Sequence, residues 1–420
     1  MKKFLLFLLV PFIALTSTAG GAQLSVAFGN VGKDLDVLKE FFAMFKEKTG
    51  HDVNVISMPS STTDQFGQYK LWLSAKNKGI DIYMLDVIWA PQLASHFVDL
   101  SKPAAKLAKL HFPSTINSQK VNGKLVALPY FTDAPMLYYR KDLLTKYNRS
   151  VPKTWAEMAE TASIIQSAER KAGNSKMWGY VFQGKAYEGL TCDALEWVNS
   201  FGGGQIVSPS GEITINNQNA IKALITVKSW VGNISPNGVL SYQEEESRGV
   251  WQTGNAVFMR NWPYAYNLSN GADSPVKGKF DVTPLPKGEG PNARSAATLG
   301  GWNVGVSKYS KNRDAAVELA LFLASPEIQK LNAIKSSHYP TIPSLYEDKD
   351  VLEVAPFFSI VKDVLKTSVA RPSAPTKRKY NEVSKLFWSA SQSVISGKKS
   401  ATSSLKELES RLKRLKGKGW

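Results

Sequence analysis

Residues 80–94 read IDIYMLDVIWAPQLA, and this stretch decides the fold. Its first nine residues are mostly apolar, which predicts a buried strand. Asp86 stands near the end of that run, and Trp89 follows three residues later. In an open α/β sheet, ligands bind just outside the carboxyl ends of the strands. A carboxylate at this place therefore predicts a residue that faces a binding site.

The sequence before this stretch predicts a parallel sheet. LSVAFGN (24–30) and DVNVISM (52–58) read as two further strands. Apolar residues at helical spacing fill 34–49, and another helical stretch covers 65–76. Strands that alternate with helices in this way are typical of an α/β fold with parallel strands covered by helices.

A second α/β region follows in the sequence. Thr154 and Glu157 form a capping box that opens a helix, and RDAAVELALFLAS (313–325) predicts another helix. Strands are predicted at GNAVFMRN (254–261) and at LGGWNVGVSKYS (299–310). Since 420 residues exceed what one ordinary core holds, we expect two α/β lobes joined by short strand-like segments.

Charge and cysteine content limit the classes of function. The formal net charge of +17 is compatible with a nucleic-acid or anionic-surface partner, or with a solvated basic exterior. The most basic segment, residues 397–420, carries leucines at helical spacing, which favours a docked amphipathic helix over a nucleic-acid arm. The single cysteine, Cys192, excludes an intramolecular disulfide and is predicted to be a packed residue.

The sequence contains few enzyme or metal signatures. HExxH, GxSxG and Walker A motifs are missing, and no GxGxxG follows a predicted strand. The run EEESR (244–248) predicts the start of a solvated helix rather than an acid cluster or a metal site. We expect no metal, no cofactor and no catalytic residue. The four histidines occur singly and are predicted to be surface or internally satisfied residues: His51, His96, His111 and His338.

Residues 1–22 predict a secretory signal peptide. The segment has a basic start, an apolar core from Phe4 to Leu15, and small residues at the expected cleavage positions, Gly20 and Ala22. The apolar core is shorter than the roughly 20 residues that a membrane span needs. No cysteine stands directly after it, so a bacterial lipid anchor is not expected. The mature protein is therefore expected to be exported and soluble.

Five short segments join aromatic or cationic residues to polar groups at predicted strand ends. Sugars present apolar C–H faces rimmed by hydroxyl groups. Indoles bury such faces at roughly 25 cal/mol per Å², and carboxylates accept hydrogen bonds from the hydroxyls. The combination predicts a sugar-binding pocket. The segments are MLDVIW with Asp86, LPYFTD (128–133), RNWPY (260–264), LGGW (299–302) and ARP with Arg371.

Together with EKTGHDVNV, VPKTWAEM and YNEVS, these segments resemble those of the extracellular solute-binding proteins that serve sugar ABC importers. The resemblance is closest to the trehalose/maltose-binding branch and covers essentially the whole mature chain. It implies the two-lobed, maltose-binding-like (type II) periplasmic-binding-protein fold, an α/β fold in which the lobes close over a ligand cleft. Residues 23–131 plus 303–327 would form the N-terminal lobe, and 132–302 plus 328–420 the C-terminal lobe.

The resemblance also implies the site residues. Asp86 and Asp133 would hydrogen-bond sugar hydroxyls, and the indoles of Trp262 and Trp302 would stack on the sugar rings. Asn30 would replace an acidic or amide residue that relatives carry after the first strand. The further expected contacts are the Gly301 backbone, the Arg371 guanidinium, the Phe131 ring where relatives often carry a tyrosine, and the loop residues Ser60 and Ser61.

The expected function is that of the periplasmic solute-binding component of an ABC sugar importer. The expected ligand is a disaccharide, trehalose before maltose or sucrose, and the partners are membrane permease subunits with a separate ATPase. The protein is expected to be a monomer without enzymatic activity and without a nucleic-acid partner. Two alternatives stay open: a binder of another solute such as a glycerol-3-phosphate compound, and a secreted glycosidase that uses Asp86 and Asp133 as its carboxylate pair.

Overall fold

The computed structural model describes residues 21–420 and contains two main β-sheets with helices packed on them. The predicted signal peptide, residues 1–22, lies almost entirely outside the described residues. The strands are β1 (Gln23–Gly29), β2 (Asp52–Met58), β3 (Ile82–Asp86), β4 (Lys120–Val121), β5 (Lys124–Leu125), β6 (Leu128–Asp133), β7 (Met136–Arg140), β8 (Trp178–Val181), β9 (Ala256–Asn261), β10 (Phe280–Thr283) and β11 (Gly300–Val306).

The helices cover both main sheets. None of them, within residues 21–420, has the length and apolar character that crossing a membrane requires. They are α1 (Asp34–Thr49), α2 (Thr62–Ser74), α3 (Ala90–Leu93), α4 (Pro113–Ser118), α5 (Lys141–Lys146), α6 (Trp155–Lys171), α7 (Glu188–Ser200), α8 (Gln218–Trp230), α9 (Glu244–Gln252), α10 (Tyr264–Ser269), α11 (Arg313–Leu323), α12 (Pro326–Ser336), α13 (Lys349–Val354), α14 (Phe358–Lys366), α15 (Ser373–Thr376), α16 (Tyr380–Ile395) and α17 (Ala401–Lys416).

The first sheet has the strand order β2-β1-β3-β11-β6, and we call the part of the molecule built on it the first lobe. β1 pairs in parallel with both β2 and β3, which confirms the predicted parallel arrangement. Every residue of β3 is buried. Met84 packs into the core under α1, and Leu85 into the core under α2, because successive side chains of a strand point to opposite faces.

The second sheet has the order β10-β7-β9-β8 and defines the second lobe. The predicted capping box of Thr154 and Glu157 opens α6. At the C-terminus, α17 docks on this lobe through Leu405, Leu408 and Leu412, which are buried in its core. The prediction of a leucine-docked amphipathic helix is thereby confirmed.

The chain crosses from the first lobe to the second between β6 and β7. Only Ala134 and Pro135 separate β6, in the first sheet, from β7, in the second. The predicted lobe boundaries after residues 131 and 302 fall inside β6 and β11. The ends of both strands, residues 132–133 and 300–302, still pair with each other in the first sheet. Away from these residues the predicted division into lobes stays a prediction.

Candidate functional site

A cleft lies where the ends of β3, β6 and β11 face α7 and α9 of the second lobe. It holds about 690 Å³ of empty space, counting the part that opens to solvent. The first turns of α7 and α9 supply acidic residues to it. Eight of the ten residues predicted for the site line this cleft: Ser60, Asp86, Phe131, Asp133, Trp262, Gly301, Trp302 and Arg371.

β11 sets the spacing of the predicted polar residues. Its Trp302 pairs with Asp86 on β3, and its Gly300 pairs with Asp133 on β6. The two carboxylates therefore flank one strand at the same edge of the sheet. Gly301 lies between them with φ of 134°, and a Cβ there would stand 2.7 Å from the carbonyl oxygen of Phe131. Glycine is required at this position by both the dihedral angle and the close approach.

Two predicted site residues do not line the cleft. Ser61 is the N-cap of α2, where its Oγ accepts a hydrogen bond from the Asp64 amide at 3.3 Å, so its hydroxyl serves the helix. Asn30 is exposed at the end of β1. Asp34, in the first turn of α1, lines the cleft instead. The acidic group expected after the first strand is thus present, but four residues later than Asn30.

An ion pair joins Asp86 to the second lobe. The Arg371 guanidinium donates from Nη2 to Asp86 Oδ1 at 2.6 Å and from Nη1 to Asp86 Oδ2 at 3.0 Å. Nη1 also donates to Glu188 Oε1 at 3.0 Å. Burial raises the pKa of Glu188, and the charge of Arg371 offsets part of that effect. Glu188 accepts further hydrogen bonds from the hydroxyls of Tyr380 and Ser384, so the network is well supplied with donors.

Asp133 has very different surroundings. It is buried, and its Oδ1 has no hydrogen-bond partner among the described residues. Burial raises the pKa of Asp133 to about 7, although the charge of His338 acts in the opposite direction. A buried carboxylate oxygen without a donor is costly, so this atom is available for a hydroxyl from a ligand.

Two half-buried indoles face the cleft. Trp302 meets Phe28 edge-on at 5.2 Å and Trp89 at 5.5 Å between ring centroids. Trp89 itself is only 1% exposed and packs in the core behind β3, so it is not part of the site. On the opposite lobe, Trp262 is held by the Arg260 guanidinium, 4.5 Å from its ring centroid. Each indole is thus held by protein contacts and partly exposed.

Sequence reasoning missed several residues that line the cleft: Asp34, Glu188, Cys192, Glu244 and His338. The prediction of a solvated helix start at EEESR is wrong for its first residue, because Glu244 is only partly exposed and burial raises its pKa. His338 was predicted to be a surface or satisfied residue, yet it is buried and its Nδ1 has no partner. The three acids each begin a helix, a signal that could have been used. His338 carries no comparable local signal.

The cleft is acidic although the chain is basic. Its five carboxylates face one arginine and one histidine, so negative charge is in excess. This field disfavours an anionic ligand. No group of three or more metal-ligating side chains in the range 21–420 is arranged to hold a metal ion. The carboxylates are Asp34, Asp86, Asp133, Glu188 and Glu244.

Comparison with known proteins gives the class that this fold and cleft define. The family described as bacterial extracellular solute-binding protein matches residues 31–330. The chain belongs to this family. It is a solute-binding protein of the ABC-transporter type and not an enzyme, as predicted, which sets aside the glycosidase alternative.

Three individual proteins illustrate how similar this chain is to known members of the class. A probable ABC transporter-binding protein of Deinococcus radiodurans is 48% identical over 425 residues, which span all of both chains. The maltose-bound MalE3 protein of T. maritima matches with a TM-score of 0.89 at 38% identity, over 94% of this chain and 100% of that one. A galactooligosaccharide-binding protein of Bacillus subtilis is 27% identical over 307 residues, 69% of this chain and 65% of its own. The predicted two-lobed, maltose-binding-like α/β fold is confirmed.

Proposed function

We propose that this protein binds a disaccharide in the cleft and delivers it to an ABC importer. Trehalose is the first candidate, with maltose or sucrose next. The receptor works in the periplasm as a monomer, its partners are membrane permease subunits, and a separate ATPase drives transport. It has no nucleic-acid partner. The observation that carries the proposal is one cleft lined by five carboxylates and two half-buried indoles, Trp302 from the first lobe and Trp262 from the second.

In this proposal the aromatic and the acidic residues of the cleft contribute to binding in different ways. The indoles offer apolar faces that cover sugar C–H groups, which supplies affinity. Asp133 offers an unpartnered acceptor for a hydroxyl, which supplies selectivity because a missing hydroxyl leaves that carboxylate unpaired. Asp86 is already held by Arg371, so it accepts from a ligand with its geometry fixed in advance. Names of relatives that include maltose and galactooligosaccharide support a carbohydrate ligand.

The alternative ligand class is a phosphate compound such as glycerol-3-phosphate. Within residues 21–420, Arg371 is the only arginine or lysine that lines the cleft, and it already pairs with two carboxylates. Five acidic side chains surround the space that a phosphate would occupy. These charges favour a neutral polyhydroxyl ligand over a dianion.

Calorimetric titration with a panel of solutes tests the proposal. The panel holds trehalose, maltose, sucrose, a sugar alcohol, glycerol-3-phosphate and inorganic phosphate. We expect saturable binding of at least one disaccharide, with a change in tryptophan fluorescence that Trp302→Ala reduces. The control variant is Trp72→Phe, because Trp72 lies on α2 outside the cleft. A folded protein that binds glycerol-3-phosphate, or none of the sugars, would contradict the proposal.

A further inference from the structure

His338 lies two residues after α12, and its neighbour Tyr339 packs in the core of the second lobe while its carbonyl accepts a hydrogen bond from the Thr132 amide of β6. The His338 side chain reaches the first lobe, where Nε2 is 2.9 Å from Asp34 Oδ1. One face of the imidazole stacks on the Phe131 ring, with 3.7 Å between ring centroids and 11° between ring planes. These contacts fix the ring in orientation and leave Nδ1 as its free polar atom.

Nδ1 is buried and has no hydrogen-bond partner among the described residues. His338 is 3% exposed and lines the cleft together with Asp133, whose Oδ1 is also buried and unpartnered. Two orphaned polar atoms that line one cleft are costly unless a ligand completes them. The structure therefore marks a cleft in which a ligand supplies two polar groups.

The chemistry of the two atoms identifies those groups. Asp133 accepts a hydrogen bond. Because Asp34 accepts the proton of Nε2, Nδ1 of His338 accepts when the ring is neutral and donates when it is protonated. A hydroxyl group satisfies Nδ1 in either state, since it is both donor and acceptor. Two hydroxyls of a sugar ligand therefore suit this pair of atoms chemically.

We propose that His338 is a ligand-contacting, specificity-determining residue that recognises a sugar hydroxyl other than the one bound by Asp133. Asp34, in the first turn of α1, is its positioning residue. Phe131 supports the imidazole with its ring face and does not stack on the sugar with that face. This inference rests on the proposed function, because it assumes a sugar ligand.

Titration of three variants tests the role of His338, using the disaccharide that the native protein binds. His338→Phe keeps a ring on Phe131 but removes both nitrogens, and we expect affinity to fall about 10- to 100-fold. His338→Gln keeps a polar group and should lose less. The matched control is His111→Phe, because His111 is another buried histidine, bonded to Thr341 and outside the cleft. It should bind as the native protein does.

Monodeoxy derivatives of the same sugar locate the contact. We expect one derivative to bind the native protein at least about 10-fold more weakly than the parent sugar and to show no such difference with His338→Phe. Equal affinity of the native protein and His338→Phe, with an unchanged deoxy pattern, would overturn the inference and leave the proposed function standing. No sugar binding by the native protein would remove the proposed function and the inference together.

A nitrogen-15 spectrum of the native protein reports on the His338 ring directly, in addition to the affinities of the variants. The chain has four histidines, so the imidazole spectrum is simple, and the His338 signals are those absent in His338→Gln. We expect sugar to shift the Nδ1 signal of His338, and Asp34→Asn to change which nitrogen carries the proton. A His338 signal that is unmoved by saturating sugar would refute direct contact.

Discussion

Asp86 and Asp133 occupy equivalent places, yet their surroundings differ completely. Both end a strand that flanks β11, both are buried, and both line the cleft. Asp86 receives two hydrogen bonds from the guanidinium of Arg371. Asp133 has an oxygen that receives none. The second lobe thus neutralises one carboxylate and leaves the other open.

This difference shows that the position of a carboxylate in the sheet does not determine its hydrogen-bond partners or its pKa. Asp86 is a bridge between lobes, because its partner Arg371 also holds Glu188 on α7. Asp133 has a buried oxygen without a hydrogen-bond donor, and burial raises the pKa of this residue to about 7. We therefore expect substitutions of the two residues to change protein stability in opposite directions.

The largest expected effect is at Asp133. Its pKa is about 7 in the folded protein and near the ordinary 3.8 when unfolded. The folded state therefore binds more protons between these values, and the free energy of unfolding falls as pH rises through that window. Asp133→Asn removes the titrating group. At pH near 8 the free energy of unfolding should rise by up to about 4 kcal/mol, with little change near pH 4.

Urea unfolding of the sugar-free protein across this pH range checks the prediction at Asp133. Calorimetry on the same variant should show weaker sugar binding, because an amide accepts less strongly than a carboxylate. A pH-independent difference in stability would show that Asp133 does not titrate in this window.

The second effect is at Asp86 and has the opposite sign. Asp86→Asn leaves the buried Arg371 with Glu188 as its one carboxylate partner, and we expect the free energy of unfolding to fall by about 3 kcal/mol at neutral pH. The same denaturation experiment measures it. Adding Arg371→Met and Glu188→Gln together to this variant should restore part of the loss, since the remaining buried charges are then removed as a pair. A single variant as stable as the native protein would mean that the ion pair contributes nothing in solution.

The sequence was sufficient for features that local patterns determine. The apolar run 80–88 predicted a buried strand with Asp86 at its end, and β3 is buried along its whole length. The capping box at Thr154 and the leucines of α17 were equally readable, since their partners lie within a few residues or on one helix face. Of the predicted site residues, these patterns concern only Asp86, which ends β3 and lines the cleft.

Local sequence patterns could not predict which side chains pair with each other in the cleft. Arg371 is 285 positions from Asp86, and His338 is 304 positions from Asp34. No local pattern specifies which side chain crosses from one lobe to meet a given carboxylate. Resemblance to a family placed Arg371 in the site but gave no reason to pair it with Asp86. The same resemblance selected Asn30 as the polar residue after the first strand, whereas Asp34 lines the cleft. The two residues are only four positions apart, Asn30 in the loop after β1 and Asp34 at the start of α1, so sequence position alone does not distinguish them.

The third effect concerns the indoles, which should matter for affinity in a way that the carboxylates do not. Trp302→Ala removes an apolar face from the cleft, and we expect sugar binding to weaken by about 2 kcal/mol with the rank order of sugars unchanged. Asp133→Asn should alter that rank order. Titration of both variants against the same sugar panel makes the comparison. If Trp302→Ala reorders the panel, affinity and selectivity are not divided between these residues.

The smallest expected effect is that of salt. A neutral sugar releases no counterions on binding, and the charges that meet it, Asp86 with Arg371 and the single carboxylate Asp133, lie in a cleft away from the basic exterior. We expect the dissociation constant for the sugar to change by less than about twofold between about 50 and 500 mM sodium chloride. An anionic ligand attracted by the net charge of +17, or a nucleic acid, would lose affinity steeply over the same range. Strong salt dependence of sugar binding would mean that charges on the exterior, rather than Asp86 and Asp133, control access to the cleft.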